Sequence, residues 1–287
     1  MLARTGYPAG VPCWVDIVQP DLDATTAFYG GLFGWSFEVR TPGNVVPRYT
    51  YARLDGLLVA GVGGAPPDHS APTGWTTYVW VESADETVAL VEANGGRVIS
   101  APVDIPAAGR VAVCADPSGA AFGLWQARDN RGVELVNAPG SWNFSELNVR
   151  GTGEATEFYG AVFGWLSDSL EMGTGQESAM WRVKGYGDFL AESDPEIRDR
   201  QASESAPEGF ADAVAILNPV PDASATASYW SITFAVADAD AAFARAVELG
   251  ARVITPLFDT DYTRMGTVED PQGAALNLSE YRPPQPD

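Results

Sequence analysis

The chain has 287 residues, 46% of them hydrophobic, enough apolar material for one large or two ordinary domains. Its net charge is −21, from 38 acidic against 17 basic residues, which argues against a nucleic-acid or anionic-membrane partner. No apolar run reaches the length of a transmembrane helix, and MLARTGYPAGVPCW has no apolar stretch behind its single Arg, so a cytoplasmic protein without a signal peptide is expected.

In chain order, PCWVDIVQ reads as a strand and Asp21 as the N-cap of a helix over DLDATTAFYGGLFGW. Strands near 35–40, 47–54 and 57–62 follow. The pattern then restarts. TTYVWVE is a strand, and Ser83 with Glu86 has capping-box spacing for a helix ended by Asn94, Gly95 and Gly96. Strands near 97–100, 110–115 and 120–126 come next, the last two joined by an Asp116-Pro117-Ser118-Gly119 turn. Cys13 and Cys114 sit in apolar strand-like runs and are expected as buried free thiols.

The second half repeats the first. AFYGGLFGWSFE at 27–38 returns as EFYGAVFGWLSD at 157–168. GGRVISAP at 95–102 returns as GARVITPL at 250–257, and ADPSGAAFGLWQ at 115–126 as EDPQGAALNLSE at 269–280. The βαβββ unit therefore occurs four times, at 11–63, 75–127, 142–217 and 229–281. The expected fold is α+β, with one domain over 1–130 and a second over 140–283. Extra residues in the second half fall mostly at 192–210, a polar excursion read as a solvated loop or a flap, with Asp194-Pro195-Glu196 able to start a short helix.

Four βαβββ units, FYGxxFGW and the DPxG turns resemble the vicinal-oxygen-chelate superfamily of glyoxalases, bleomycin-resistance proteins and dioxygenases, in its tandem two-domain actinobacterial form. The resemblance implies curved, half-open-barrel sheets around cavities. It also implies positions for metal ligands, which match Trp14, Thr76 and Gly123 in the first half and Phe144, Ser231 and Asn277 in the second. None of these suits a divalent metal, so neither a metal nor another cofactor is expected. The single histidine, His69, stands in a Pro/Gly-rich linker, which leaves Ser-His or Cys-His chemistry without its base.

Strand alternation places Asp16 with Trp14, Tyr78 and Trp80 with Thr76, and Trp125 with Gly123. This set reads either as a slot for a flat aromatic ligand, with Gly123 leaving room, or as rings that fill a core. The second cavity would carry Phe144, Glu146, Asn148, Ser231, Thr233, Asn277 and Ser279. Asp16 and Glu146 occupy equivalent places and are the candidate acid or base, with Arg48, Arg110 and Arg264 on nearby elements. The leading expectation is metal-independent binding of an aromatic small molecule, such as an antibiotic or polyketide intermediate, in resistance or beside a biosynthetic enzyme. The alternatives are a metal-free isomerase, lyase or cyclase on a hydroxylated aromatic compound, and a metal-dependent glyoxalase or dioxygenase.

Overall fold

A computed structural model describes residues 3–41, 48–65, 74–171, 177–203, 206–220 and 227–282. His69 lies outside the described residues. The first unit runs β1 (Pro12–Gln19), α1 (Leu22–Phe33), β2 (Ser36–Val39), β3 (Tyr49–Leu54) and β4 (Leu57–Gly64). The second runs β5 (Gly74–Trp80), α2 (Ala84–Ala93), β6 (Arg97–Ile105), β7 (Gly109–Ala115) and β8 (Ala121–Ala127). The third opens with β9 (Trp142–Val149), α3 (Thr152–Phe163), β10 (Leu166–Glu171) and β11 (Glu177–Arg182). It continues through α4 (Tyr186–Ser193) and α5 (Ile197–Ser203) to β12 (Ala213–Pro219). The fourth comprises β13 (Tyr229–Ala235), α6 (Ala239–Glu248), β14 (Arg252–Asp259), β15 (Thr263–Glu269) and β16 (Ala275–Tyr281).

Local chemistry sets the helix ends. Asp21 accepts from the Ala24 amide at 2.9 Å and Ser83 from the Glu86 amide at 3.2 Å, each closing an otherwise unpaired first turn. Gly34 and Gly164, the glycines of FGW, end α1 and α3 in the left-handed conformation, at φ 75° and 71°.

Paired units share one open sheet of eight strands. The orders are β2-β3-β4-β1-β5-β8-β7-β6 and β10-β11-β12-β9-β13-β16-β15-β14. In each, the first strands of the two units (β1 with β5, β9 with β13) pair antiparallel at the centre. Each of these central strands also pairs in parallel with the last strand of its own unit. This is the expected α+β architecture, two tandem domains of curved, unclosed sheets.

The two sheets meet along the faces that carry Thr77 and Ser145, whose hydroxyls lie 2.6 Å apart. Both FYGxxFGW segments work at this junction. Tyr29 on α1 donates to Asp270 Oδ2 in the second half at 2.9 Å, and Tyr159 on α3 donates to Asp116 Oδ2 in the first at 3.1 Å. The other oxygen of each aspartate stays in its own DPxG turn, accepting from Ser118 Oγ and the Ala120 amide, or from the Gln272 and Ala274 amides. Trp35 stacks on Tyr29 and gives its indole N–H to Gly140 O at 2.7 Å; Trp165 stacks on Tyr159 and gives its own to Gly10 O at 2.7 Å. Both cysteines are free and fully buried.

The excursion in the third unit has the short helix expected after Asp194-Pro195-Glu196, as α5, but is otherwise not the expected solvated loop. It is mostly helical, and it begins at Tyr186 rather than 192. Tyr186, Leu190 and Ile197 are buried, because their spacing gives α4 and α5 a common apolar side while their acidic residues face outward.

Candidate functional site

The register brings the first predicted set onto one face. Trp14 stands opposite Tyr78 and Asp16 opposite Thr76, while Tyr78 lies beside Gly123 and Trp80 beside Trp125. Tyr49 joins them from β3: its hydroxyl donates to Asp16 Oδ2 at 2.8 Å and accepts from Trp14 Nε1 at 3.2 Å. Asp16 is 6% exposed, and its Oδ1 is buried without a hydrogen-bond partner. Burial raises its pKa from 3.8 to about 6, partly offset by the Tyr49 and Tyr78 hydroxyls.

Gly123 is not an opening for a ligand. A Cβ placed on it would stand 1.9 Å from the Tyr78 ring, and one on Gly61 would stand 1.9 Å from the Tyr49 hydroxyl. The sheet's own rings therefore drop into the two notches that glycine creates. Trp14, Tyr78 and Trp125 are buried, and Trp125 gives its indole N–H to Asn130 O at 2.9 Å. Only Thr76 and Trp80 of this set remain half-buried. Packing into the sheet's own notches wins because each ring has a large apolar area to remove from water.

On the second sheet the equivalent carboxylate is fully engaged. Glu146 Oε1 accepts from Thr233 Oγ1 at 2.7 Å, and Oε2 accepts from Ser231 Oγ and Asn277 Nδ2, both at 2.9 Å. Asn277 is held in turn by Thr267 Oγ1 at 2.8 Å, and Asn148 donates to Ser231 Oγ at 2.9 Å. Burial raises the Glu146 pKa, and these three neutral donors pull it back only in part. Ser279 is buried on β16 without joining this ring of contacts, and Phe144 lies one step along β9. The predicted arginines go elsewhere. Arg110 pairs with Asp85 and Asp104, Arg264 with Asp240 and Asp259, and Arg48 is exposed.

A divalent metal does not fit either set. Among the described residues no three His, Cys, Asp or Glu side chains come together as ligands. Glu146 has both oxygens committed to hydroxyl and amide donors, and the place beside Asp16 is taken by tyrosine rings.

An open space lies beyond Phe144. A cavity of about 100 Å³ is bounded by Trp142, Asn143 and Phe144 of β9, by Val136 and Asn137 before it, and by Arg4 and Tyr7 near the start of the chain. The excursion supplies another wall, with Tyr186 and Leu190 of α4, Ile197 and Gln201 of α5, and Phe210, and residues of β1 and β12 close the rest. Phe144 and Phe210 face each other with centroids 6.0 Å apart. Of these residues, sequence reasoning singled out Phe144 alone. The i, i+4 pair Tyr186 and Leu190 was the available signal for a packed helix beside it.

The family model for the Glyoxalase/Bleomycin resistance protein/Dioxygenase superfamily matches residues 13–124 and 143–278. The chain is 34% identical to the anthracycline biosynthesis protein DnrV of Streptomyces peucetius over 292 residues, covering 97% of this chain and 96% of that one. It is likewise 34% identical to the "Putative glyoxylase CFP32" of Mycobacterium tuberculosis (strain CDC 1551 / Oshkosh), across 99% of this chain and all of that one. Among solved structures, the Mn(II)-bound glyoxalase of Novosphingobium aromaticivorans shares the fold at a TM-score of 0.57 and 14% identity, covering 97% of this chain and 83% of that one. Repeated units, sheet order and whole-length similarity agree: the chain belongs to the glyoxalase, bleomycin resistance protein and dioxygenase superfamily.

Proposed function

We propose that the protein binds an aromatic small molecule, without a metal, in the cavity beneath α4 and α5. The observation that carries this reading is the wall itself. Tyr7, Trp142, Phe144, Tyr186 and Phe210 surround the space, and Asn137, Asn143 and Gln201 set amides among the rings. Flat apolar faces with a few polar groups suit a planar ligand bearing oxygen substituents. The cavity of about 100 Å³ has room for part of such a molecule, since an engineered cavity of ~150 Å³ accepts benzene. A larger ligand enters by displacing the α4–α5 wall. The name of the 34% identical relative, an anthracycline biosynthesis protein, supports a polyketide-like aromatic ligand and a place beside a biosynthetic enzyme.

Titration with hydroxylated anthraquinones, followed by tryptophan fluorescence, tests the proposal. Stoichiometric binding weakened about tenfold by Phe210→Ala is the expected result. Unchanged affinity in both Phe210→Ala and Phe144→Ala sinks it.

Asp16 favours a second reading, a metal-free isomerase, lyase or cyclase. Its pKa of about 6 and its unpartnered Oδ1 suit an acid-base group, and a hydroxylated aromatic substrate would have to displace the Tyr49 or Tyr78 ring to give it a proton. Turnover of hydroxylated quinones by the wild type, lost in Asp16→Asn while binding persists, is the result this reading requires.

A further inference from the structure

We propose that the same cavity selects aromatic ligands that carry a negative charge, a carboxylate or an ionised phenol, and that Arg4 recognises it. This rests on the binding reading above and names the class of ligand. The chain carries a net charge of −21, so an anion approaching most of its surface meets repulsion. The cavity is an exception. None of its lining residues is Asp or Glu, and one, Arg4, is a cation.

Arg4 is also uncommitted. Arg110 and Arg264 each hold two carboxylates and Arg282 holds three, but Arg4 makes no ion pair among the described residues. Asp194, which feels its field, is already paired with Arg200. Arg4 is nevertheless held in place. Its amide donates to Glu134 O at 2.8 Å, and its guanidinium carbon lies 6.0 Å from the centre of the Tyr186 ring, on the cavity wall. A half-buried, positioned guanidinium without a carboxylate is a ready partner for an anion, because little ordering remains to be done when one arrives. Asn137, Asn143 and Gln201 bring side-chain amides to the lining of the same cavity. The Tyr7 hydroxyl is engaged, donating to Val133 O at 2.8 Å, so its ring serves as a flat surface and its oxygen does not compete for the anion.

Isothermal titration with matched probes tests this: 2-naphthoate against 2-naphthamide, and anthraquinone-2-carboxylate against its carboxamide. The carboxylates should bind about tenfold more tightly than the amides, with the gap closing at high salt. Arg4→Gln should weaken the carboxylates about tenfold and leave the amides unchanged, and Arg4→Lys should recover part of the loss. Equal affinity within each pair, or carboxylate binding untouched by Arg4→Gln in a chain with the wild-type circular dichroism, overturns the charge selection and leaves aromatic binding standing. If no probe binds, both readings fall.

Discussion

Tyr29 and Asp270, 241 positions apart, share a hydrogen bond of 2.9 Å that ties the helix of the first unit to the last hairpin of the fourth. Its counterpart is Tyr159 with Asp116, at 3.1 Å. The most conspicuous repeat in the chain therefore builds the junction between halves, and the cavity beneath α4 and α5 lies elsewhere.

The two ties are chemically unequal. Asp270 Oδ2 also accepts from Gln19 Nε2 at 2.7 Å, whereas the equivalent of Gln19 in the second half is Val149. Losing the tyrosine hydroxyl leaves Asp270 with a donor and Asp116 Oδ2 without one. Tyr159→Phe should cost about 2–3 kcal/mol and Tyr29→Phe about 1 kcal/mol. Urea denaturation of both variants measures this, and a larger loss in Tyr29→Phe contradicts it.

Gly123→Ala should destabilise the first sheet by about 1–3 kcal/mol, because its Cβ meets the Tyr78 ring. Tyr78→Ala costs stability by itself, but in the Gly123→Ala background it also removes the clash. The double variant should be more stable than the sum of the single losses, a coupling that thermal unfolding of all four chains reads directly.

Asp16 makes a pH-dependent contribution. Below its ordinary pKa of 3.8 the group is protonated folded or unfolded, and contributes nothing. Between 3.8 and about 6 the unfolded chain releases the proton that the folded chain keeps, so stability falls as pH rises. Above about 6 the loss levels off near ~3 kcal/mol, from 1.36 kcal/mol per pKa unit. Wild-type stability measured against Asp16→Asn should fall by roughly that amount across this window. A difference that stays flat with pH rules out the shift.

Adding Zn²⁺, Mn²⁺ or Fe²⁺ to the purified protein should leave its melting temperature unchanged, because a ligand at a hundred times its Kd stabilises by ~2.7 kcal/mol and the donor set among the described residues offers no such site. A rise of several degrees at micromolar metal would restore the metal-dependent reading.

Much of this was legible in the residues. The repeats gave four units, and alternation along β1, β5 and β8 put Trp14, Asp16, Thr76, Tyr78 and Gly123 on one face, because a sheet has a period of two and admits no half-steps. What alternation could not show was where Tyr78 would lean. Whether a glycine is a gap or a seat depends on the neighbour's rotamer, and Gly123 is a seat. Tyr49 escaped notice because β3 reaches Asp16 only across β4, through the length of its side chain. The cavity stayed hidden for a related reason. Arg4, Asn137 and Phe210 come from segments without periodicity, assembled by α4 and α5, and no local pattern announces that meeting.

The ties between halves run both ways: a tyrosine from each reaches the aspartate of the other, and a tryptophan from each reaches a glycine carbonyl of the other. Two identical half-length chains would meet each other in this way about a twofold axis. Such an isologous pairing points to descent by fusion of a duplicated gene from a homodimeric ancestor. Joining the copies freed each from the other's sequence, so the second half alone could go without the glutamine at its tie and carry two further helices beside a cavity.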